Sequence, residues 1–265
     1  MVDVAGIQDR ETLEAWLLDR SREDAVCIAH RAAMRVAPLY WSTLGNDRAR
    51  QRKMTPLNTL WPLLTSGVAR GYPSTEVTLA ADASERASDY AFASPSAAYA
   101  AAASASDAVT AATAEDDENQ SYSRDGADAA DAADGAVAYA GYAVQTRAAY
   151  PDGAPDSWQS VRMDCAALED GDDPFNLPLW DGPTPELIAQ AWDQTRQEWM
   201  RAGETGWLFW IEFYENSLAG RAQDWSLLHD IALIPAEDWK GGPDRVHPII
   251  EAMLLDRATQ ETNIG

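Results

Sequence analysis

Apolar residues along the chain recur at spacings of three and four, and no stretch of β-branched residues alternates with period two, so the pattern predicts helices and no strand. Leu13, Trp16 and Leu17 share one face at i, i+3 and i+4. Ser21 followed by Glu23 and Asp24 reads as a helix start, with a hydroxyl N-cap and acids in the first turn. The helix that follows carries Val26, Ala29, Ala33 and Val36 and is expected to stop at Pro38. Thr55-Pro56 repeats the start signal, and Leu57, Leu60, Trp61 and Leu64 form the next stripe, with a kink expected at Pro62.

In the last third, Asp156 is expected to cap a helix with Trp158, Val161, Cys165 and Leu168 on one face, ended by Gly171. The stretch 171–183 reads as a loop. A helix from Thr184-Pro185-Glu186 bears Leu187, Ile188, Ala191, Trp192 and Trp199. The most apolar helix starts near Thr205, with Trp207, Trp210, Ile211, Tyr214 and Leu218 in register, and stops at Gly220. Asp224 caps a shorter helix through Ile231, and a final helix carries Val246, Ile249, Ile250, Met253 and Leu254.

The middle of the chain differs in kind. Residues 76–150 contain 28 alanines, six of the nine tyrosines and no tryptophan. Alanine has the best helix propensity and lets helix axes approach closely, so packed helices are favoured there over a linker or a solvated single helix. They are expected from Ser74 to about Tyr90, from Ser94-Pro95 to about Thr113, and over 125–150 after a charged loop at 115–123. The whole reads as one all-α, compact multi-helix domain of about ten helices spanning 1–265, in three parts: N-terminal helices (1–75), Ala-rich helices (76–150) and a Trp-rich helical part (151–265).

Composition adds a charge problem. Of 265 residues, 46% are hydrophobic and 24% charged, a globular balance, but 20 basic residues face 43 acidic ones, a net of −23. The excess is not uniform: residues 1–75 carry +2, residues 76–150 carry −10 and residues 151–265 carry −15. The N-terminal helices are therefore expected to dock against the acidic remainder, with Arg31 and Arg35 as contacts. Such a charge argues against binding nucleic-acid backbone or an anionic membrane. Two cysteines, Cys27 and Cys165, are too few for a disulfide framework, and the N-terminus shows no signal-peptide pattern, so a cytoplasmic protein is expected.

Chemical motifs are sparse. None of the standard nucleotide, metalloprotease, redox or hydrolase patterns is present, and the three histidines, His30, His229 and His247, lie in separate predicted elements. No cofactor or metal is therefore expected. Cys27 and His30, three apart on one helix, have the spacing of a nucleophile and its base, against the simpler reading of a buried thiol beside a histidine. Arg31 and Arg35 at i, i+4 offer two guanidiniums to a carboxylate or phosphate ligand, or to acids of the chain itself. Glu212 and Glu215 are spaced for paired-carboxylate chemistry if burial separates their acidities. The acids Asp164, Glu169, Asp170, Asp172 and Asp173 read as a solvated helix end, since the calcium-loop pattern is missing. The tryptophans Trp192, Trp199, Trp207 and Trp210, at helical spacing, read as core. His30, Arg31, Arg35, Glu212 and Glu215 are thus the candidates for a ligand or partner site.

The segment WLFWIEFYENSLAGRAQDWSLLHDIALIPAEDWKGGPDRVHPII at 207–250 resembles the C-terminal signature of a family of uncharacterised bacterial proteins. That signature is a W-x-x-W-x-x-[WF]-Y core, an L-x-G loop, I-A-L-I-P and W-x-x-G-P. The stretch EAWLLDRSREDAVCIAHRAAMRVAPL at 14–39 is similar to the opening of the same family. The resemblance implies a packing motif and carries no activity to any residue. Three functions stay open: a non-enzymatic interaction or regulatory module with a basic protein partner, which the absent catalytic motifs favour; an enzyme using Glu212 and Glu215, or Cys27 and His30, in a helical cleft; and an acidic mimic of nucleic acid.

Overall fold

A computed structural model describes residues 3–45, 51, 54–88, 157–203 and 205–264. Ten α-helices lie among them: α1 (Arg10–Leu17), α2 (Arg22–Trp41), α3 (Leu57–Gly71), α4 (Thr75–Ser88), α5 (Ser157–Asp170), α6 (Glu186–Ala202), α7 (Thr205–Ala219), α8 (Trp225–Ala232), α9 (Ala236–Lys240) and α10 (Pro243–Ile264), with 3-10 turns at Val4–Gly6 and Pro174–Asn176. No strand occurs among the described residues. The protein is an all-α, compact domain, as the three- and four-residue spacing required. The Ala-rich helices expected beyond residue 90, and Asp156 as a cap, lie outside the described residues.

Helix α2 is the axis. Every residue from Ala25 to Trp41 is buried, because α3, α5, α6 and α7 all pack against it. Ala25, Ala29, Ala32, Ala33 and Ala37 let these neighbours come close. A helix surrounded in this way has no solvent face, so its polar residues must find partners inside the protein. Helix α3 is nearly as enclosed, with all but three of its residues buried, and packs on α2, α4 and α8.

The predicted stop at Pro38 is not observed: α2 continues to Trp41 with Pro38 inside it. Proline removes the bond its own N–H would make and crowds the carbonyl one turn back, but burial of Leu39, Tyr40 and Trp41 holds the turn beyond it. Trp41 is the hub of the aromatic core. It lies 5.2 Å from Tyr214 and 6.0 Å from Trp192, both edge to face, and its indole N–H donates to Thr59 Oγ1 at 2.8 Å. Trp61 on α3 stacks on Trp239 of α9 at 4.9 Å. Trp192, Trp199, Trp207 and Trp210 are all buried, so they are core. The core is one cluster running from Ile7 to Ile250, and it joins the first and last parts of the chain.

Helix starts follow local chemistry. Asp9 and Thr12 form a capping box at α1, Ser21 Oγ accepts from the Asp24 N–H at 3.2 Å, and Asp224 Oδ1 accepts from the Leu227 N–H at 3.0 Å. Thr55 does not cap α3 through its side chain. Instead Asn58 Oδ1 accepts from the Thr55 backbone N–H at 2.8 Å.

Candidate functional site

The residues of α2 that carry chemistry meet a single long loop. Between α5 and α6 the chain has no regular helix apart from the turn at Pro174–Asn176, so its carbonyls need donors from elsewhere. Arg31 and Arg35 supply them. Arg31 donates from Nη1 to the carbonyl of Pro174 and, at 3.0 Å, to that of Leu177, and from Nη2 to Pro178 at 2.7 Å. Its Nε donates to Asp164 Oδ1 at 2.8 Å. Arg35 donates from Nε to the Leu179 carbonyl at 2.6 Å, and from Nη2 to the Ser160 carbonyl at 3.1 Å and to Asp164 Oδ2 at 2.6 Å. All three charged side chains are out of solvent, and Asp164 is 0% exposed. Burial lowers the Arg35 pKa, and the Asp164 carboxylate beside it works against that shift.

This seam corrects one expectation. Asp164 does not belong to a solvated helix end; it is the shared anion of a buried Arg–Asp–Arg triad. The signal was present: Val161, Asp164, Cys165 and Leu168 follow i, i+3, i+4 and i+7, so the acid sits on the apolar stripe of α5. The rest of that acid group does lie at the surface. Glu169 Oε1 accepts from Arg20 at 2.8 Å and from the Trp16 indole at 3.1 Å. Asp173 caps the 3-10 turn and pairs with Arg70 Nη1 at 2.6 Å.

His30 faces α3 rather than Cys27. Its Nδ1 lies 3.0 Å from Ser66 Oγ, and Ser66 Oγ donates its own hydrogen to the Leu63 carbonyl at 3.1 Å. Burial, and then the nearby Arg31 and Arg70 charges, push the His30 pKa down to about 3, so the ring is neutral. Phe175 packs on the ring at 5.0 Å and stacks in turn on Trp225 at 5.1 Å. Gly67 is required where α3 passes: a Cβ there would lie 2.9 Å from His30 Cε1. Cys27 is fully buried, and burial raises its thiol pKa to about 12; Cys165 is raised in the same way.

The carboxylate candidates are not brought together in a cleft. Glu212 is exposed on α7, and Glu215 pairs with Arg196 Nε at 2.9 Å at the surface. Among the described residues no group of His, Cys, Asp and Glu can hold a metal ion. No helix among them is long and apolar enough to cross a membrane. His30, Arg31 and Arg35 thus share one buried polar seam, while Glu212 and Glu215 stand apart from it on the outside.

Compared with protein-family models, curated proteins and solved structures, the chain shows no match. No residue inherits a role from a relative, and the function has to be argued from the geometry.

Proposed function

We propose that the protein is a non-enzymatic helical interaction module whose partner presents a basic surface. The observation that carries this is the division of charge. Asp164 is the one carboxylate buried among the described residues, and it is enclosed with Arg31 and Arg35. Those three sum to +1, which leaves −24 on the rest of the chain. A field of one sign steers an oppositely charged partner and raises the rate of encounter. The groups that catalysis would use support the same reading. The Cys27 thiol stays protonated, and His30 Nδ1 and the guanidiniums are bonded to neighbouring helices and to the loop.

Zero-length carbodiimide cross-linking of the full chain in native extract, at low and at high salt, tests this. The expected result is cross-links from its carboxylates to lysines of one protein, lost at high salt. Cross-links within the chain alone at both salts would contradict the proposal. If duplex DNA competes for the captured protein, the module acts as a mimic of nucleic acid.

A further inference from the structure

The described residues contain two Asp-Gly steps, and the fold treats them in opposite ways. Three more, at Asp125, Asp134 and Asp152, lie outside the described residues. An aspartate followed by glycine can close on itself: the glycine N–H attacks the side-chain carboxyl carbon, and no Cβ on the glycine stands in the way. Closure needs that N–H and that carboxyl group to be free. Asp170-Gly171 ends α5. Gly171 takes a left-handed φ of 78° as the helix stop, and its N–H donates to the Leu168 carbonyl at 3.3 Å. The next N–H, of Asp172, donates to the Ala167 carbonyl at 2.8 Å. The nucleophile of this step is engaged in the helix cap, and the peptide after it is pinned.

Asp181-Gly182 lies in the loop between α5 and α6, and both residues are exposed. Gly182 has a φ of 101°, a region that glycine enters freely. Among the described residues its N–H meets no acceptor. Gln159 Nε2 donates to Asp181 Oδ2 at 2.7 Å, and Oδ1 meets no donor among the described residues. We infer that Asp181 is a site of covalent modification in the folded protein, converting spontaneously to an isoaspartyl link, while Asp170 is protected by its cap. The ring forms when the Gly182 nitrogen bonds to the Asp181 carboxyl carbon. That carbon loses a hydroxyl, the nitrogen loses its proton, and the two leave as water. Water then adds to one of the two ring carbonyls. Addition at the side-chain carbonyl restores aspartate, and addition at the main-chain carbonyl leaves the chain running through the side-chain carbon. One free carboxylate remains in either product, so no charge is lost, but the isoaspartyl backbone is longer by one atom. That atom enters next to buried Trp180 and two residues after Leu179, whose carbonyl accepts from Arg35 Nε at 2.6 Å, so the modification falls at the edge of the seam.

Incubation of the full chain at neutral pH in heavy-oxygen water, folded and in urea, followed by peptide mapping with electron-transfer fragmentation, tests this. The fragments separate aspartyl from isoaspartyl backbone, and a heavy oxygen at the residue marks passage through the ring. In the folded chain Asp181 is expected to convert about tenfold or more faster than Asp170, which has to open its cap first. In urea, where the cap is gone, the two rates are expected to come together. Failure of Asp181 to convert in the folded chain while it converts in urea would show that the loop holds it in an unreactive geometry, and would overturn the inference. Equal rates at Asp170 and Asp181 in the folded chain would overturn it as well, because the cap would then give no protection.

Discussion

Asp164→Asn is the sharpest perturbation of the seam. The carboxylate accepts Arg31 Nε at 2.8 Å and Arg35 Nη2 at 2.6 Å and has no exposure to water. Asparagine keeps the volume, loses the charge, and turns an NH₂ toward guanidinium N–H groups in place of one acceptor oxygen. Removing one partner of a buried ion pair costs about 3–5 kcal/mol, because the remaining charge stays buried without compensation. For a chain of this size the urea slope is about 3 kcal/mol per M, so the midpoint should fall by about 1–2 M with the slope unchanged. Glu169→Gln is the control: its pair with Arg20 is just as short at 2.8 Å but partly exposed, and should contribute about 0–1 kcal/mol. Replacing Arg31, Arg35 and Asp164 together by leucine should not restore stability, because the carbonyls of Pro174, Leu177, Pro178 and Leu179 would lose their donors. Urea denaturation followed by far-UV circular dichroism reads all three. A loss below about 1 kcal/mol for Asp164→Asn would refute the view that this carboxylate holds α2, α5 and the loop together.

His30 should make the protein sensitive to acid. Its folded pKa of about 3 lies below the unfolded value of 6.5, so between those limits the unfolded chain binds a proton that the native one does not. Stability should be level above pH 6.5 from this group and fall by about 1.4 kcal/mol per pH unit below it; His30→Gln should flatten that slope in urea melts, and an unchanged slope would contradict the assignment. Cys27 and Cys165 are both buried with raised thiol pKa values, so a thiol reagent at neutral pH should label neither in the native protein and both in denaturant. Rapid native labelling of either would show that the core opens there. Trp210→Ala should cost about 3–5 kcal/mol, whereas Glu212→Ala, two residues on and exposed, should change stability by at most about 0.5 kcal/mol in the same melts.

Helices were legible where the apolar spacing was regular and the start chemistry local, as at Ser21 and Asp224, whose caps form as the residue types require. Docking of the N-terminal helices on the acidic remainder through Arg31 and Arg35 was legible too, from the uneven charge along the chain. The identity of the partner acid was not taken from the sequence, although its position on the apolar stripe of α5 marks it. Pro38 misled because a rule for an isolated helix was applied to a segment whose far side is buried in the core. Helix α9 spans only Ala236–Lys240, too short for its periodicity to register; it is placed by burial of Trp239 against Trp61. That the i, i+4 arginines face inward could not be read from α2 alone. It depends on how many helices surround α2, which is a property of the tertiary fold.

The central claim is that Arg31 and Arg35 of α2 are fastened inside the fold and leave carboxylates as the main chemistry offered outward. Hydrogen exchange at arginine Nε–H groups, resolved by NMR in the native protein, tests it most directly. Arg31 and Arg35, each donating from Nε to a buried acceptor, should exchange orders of magnitude more slowly than exposed Arg201. Exchange of Arg31 and Arg35 at the rate of Arg201 would show guanidiniums open to solvent and ligands, and would contradict the account.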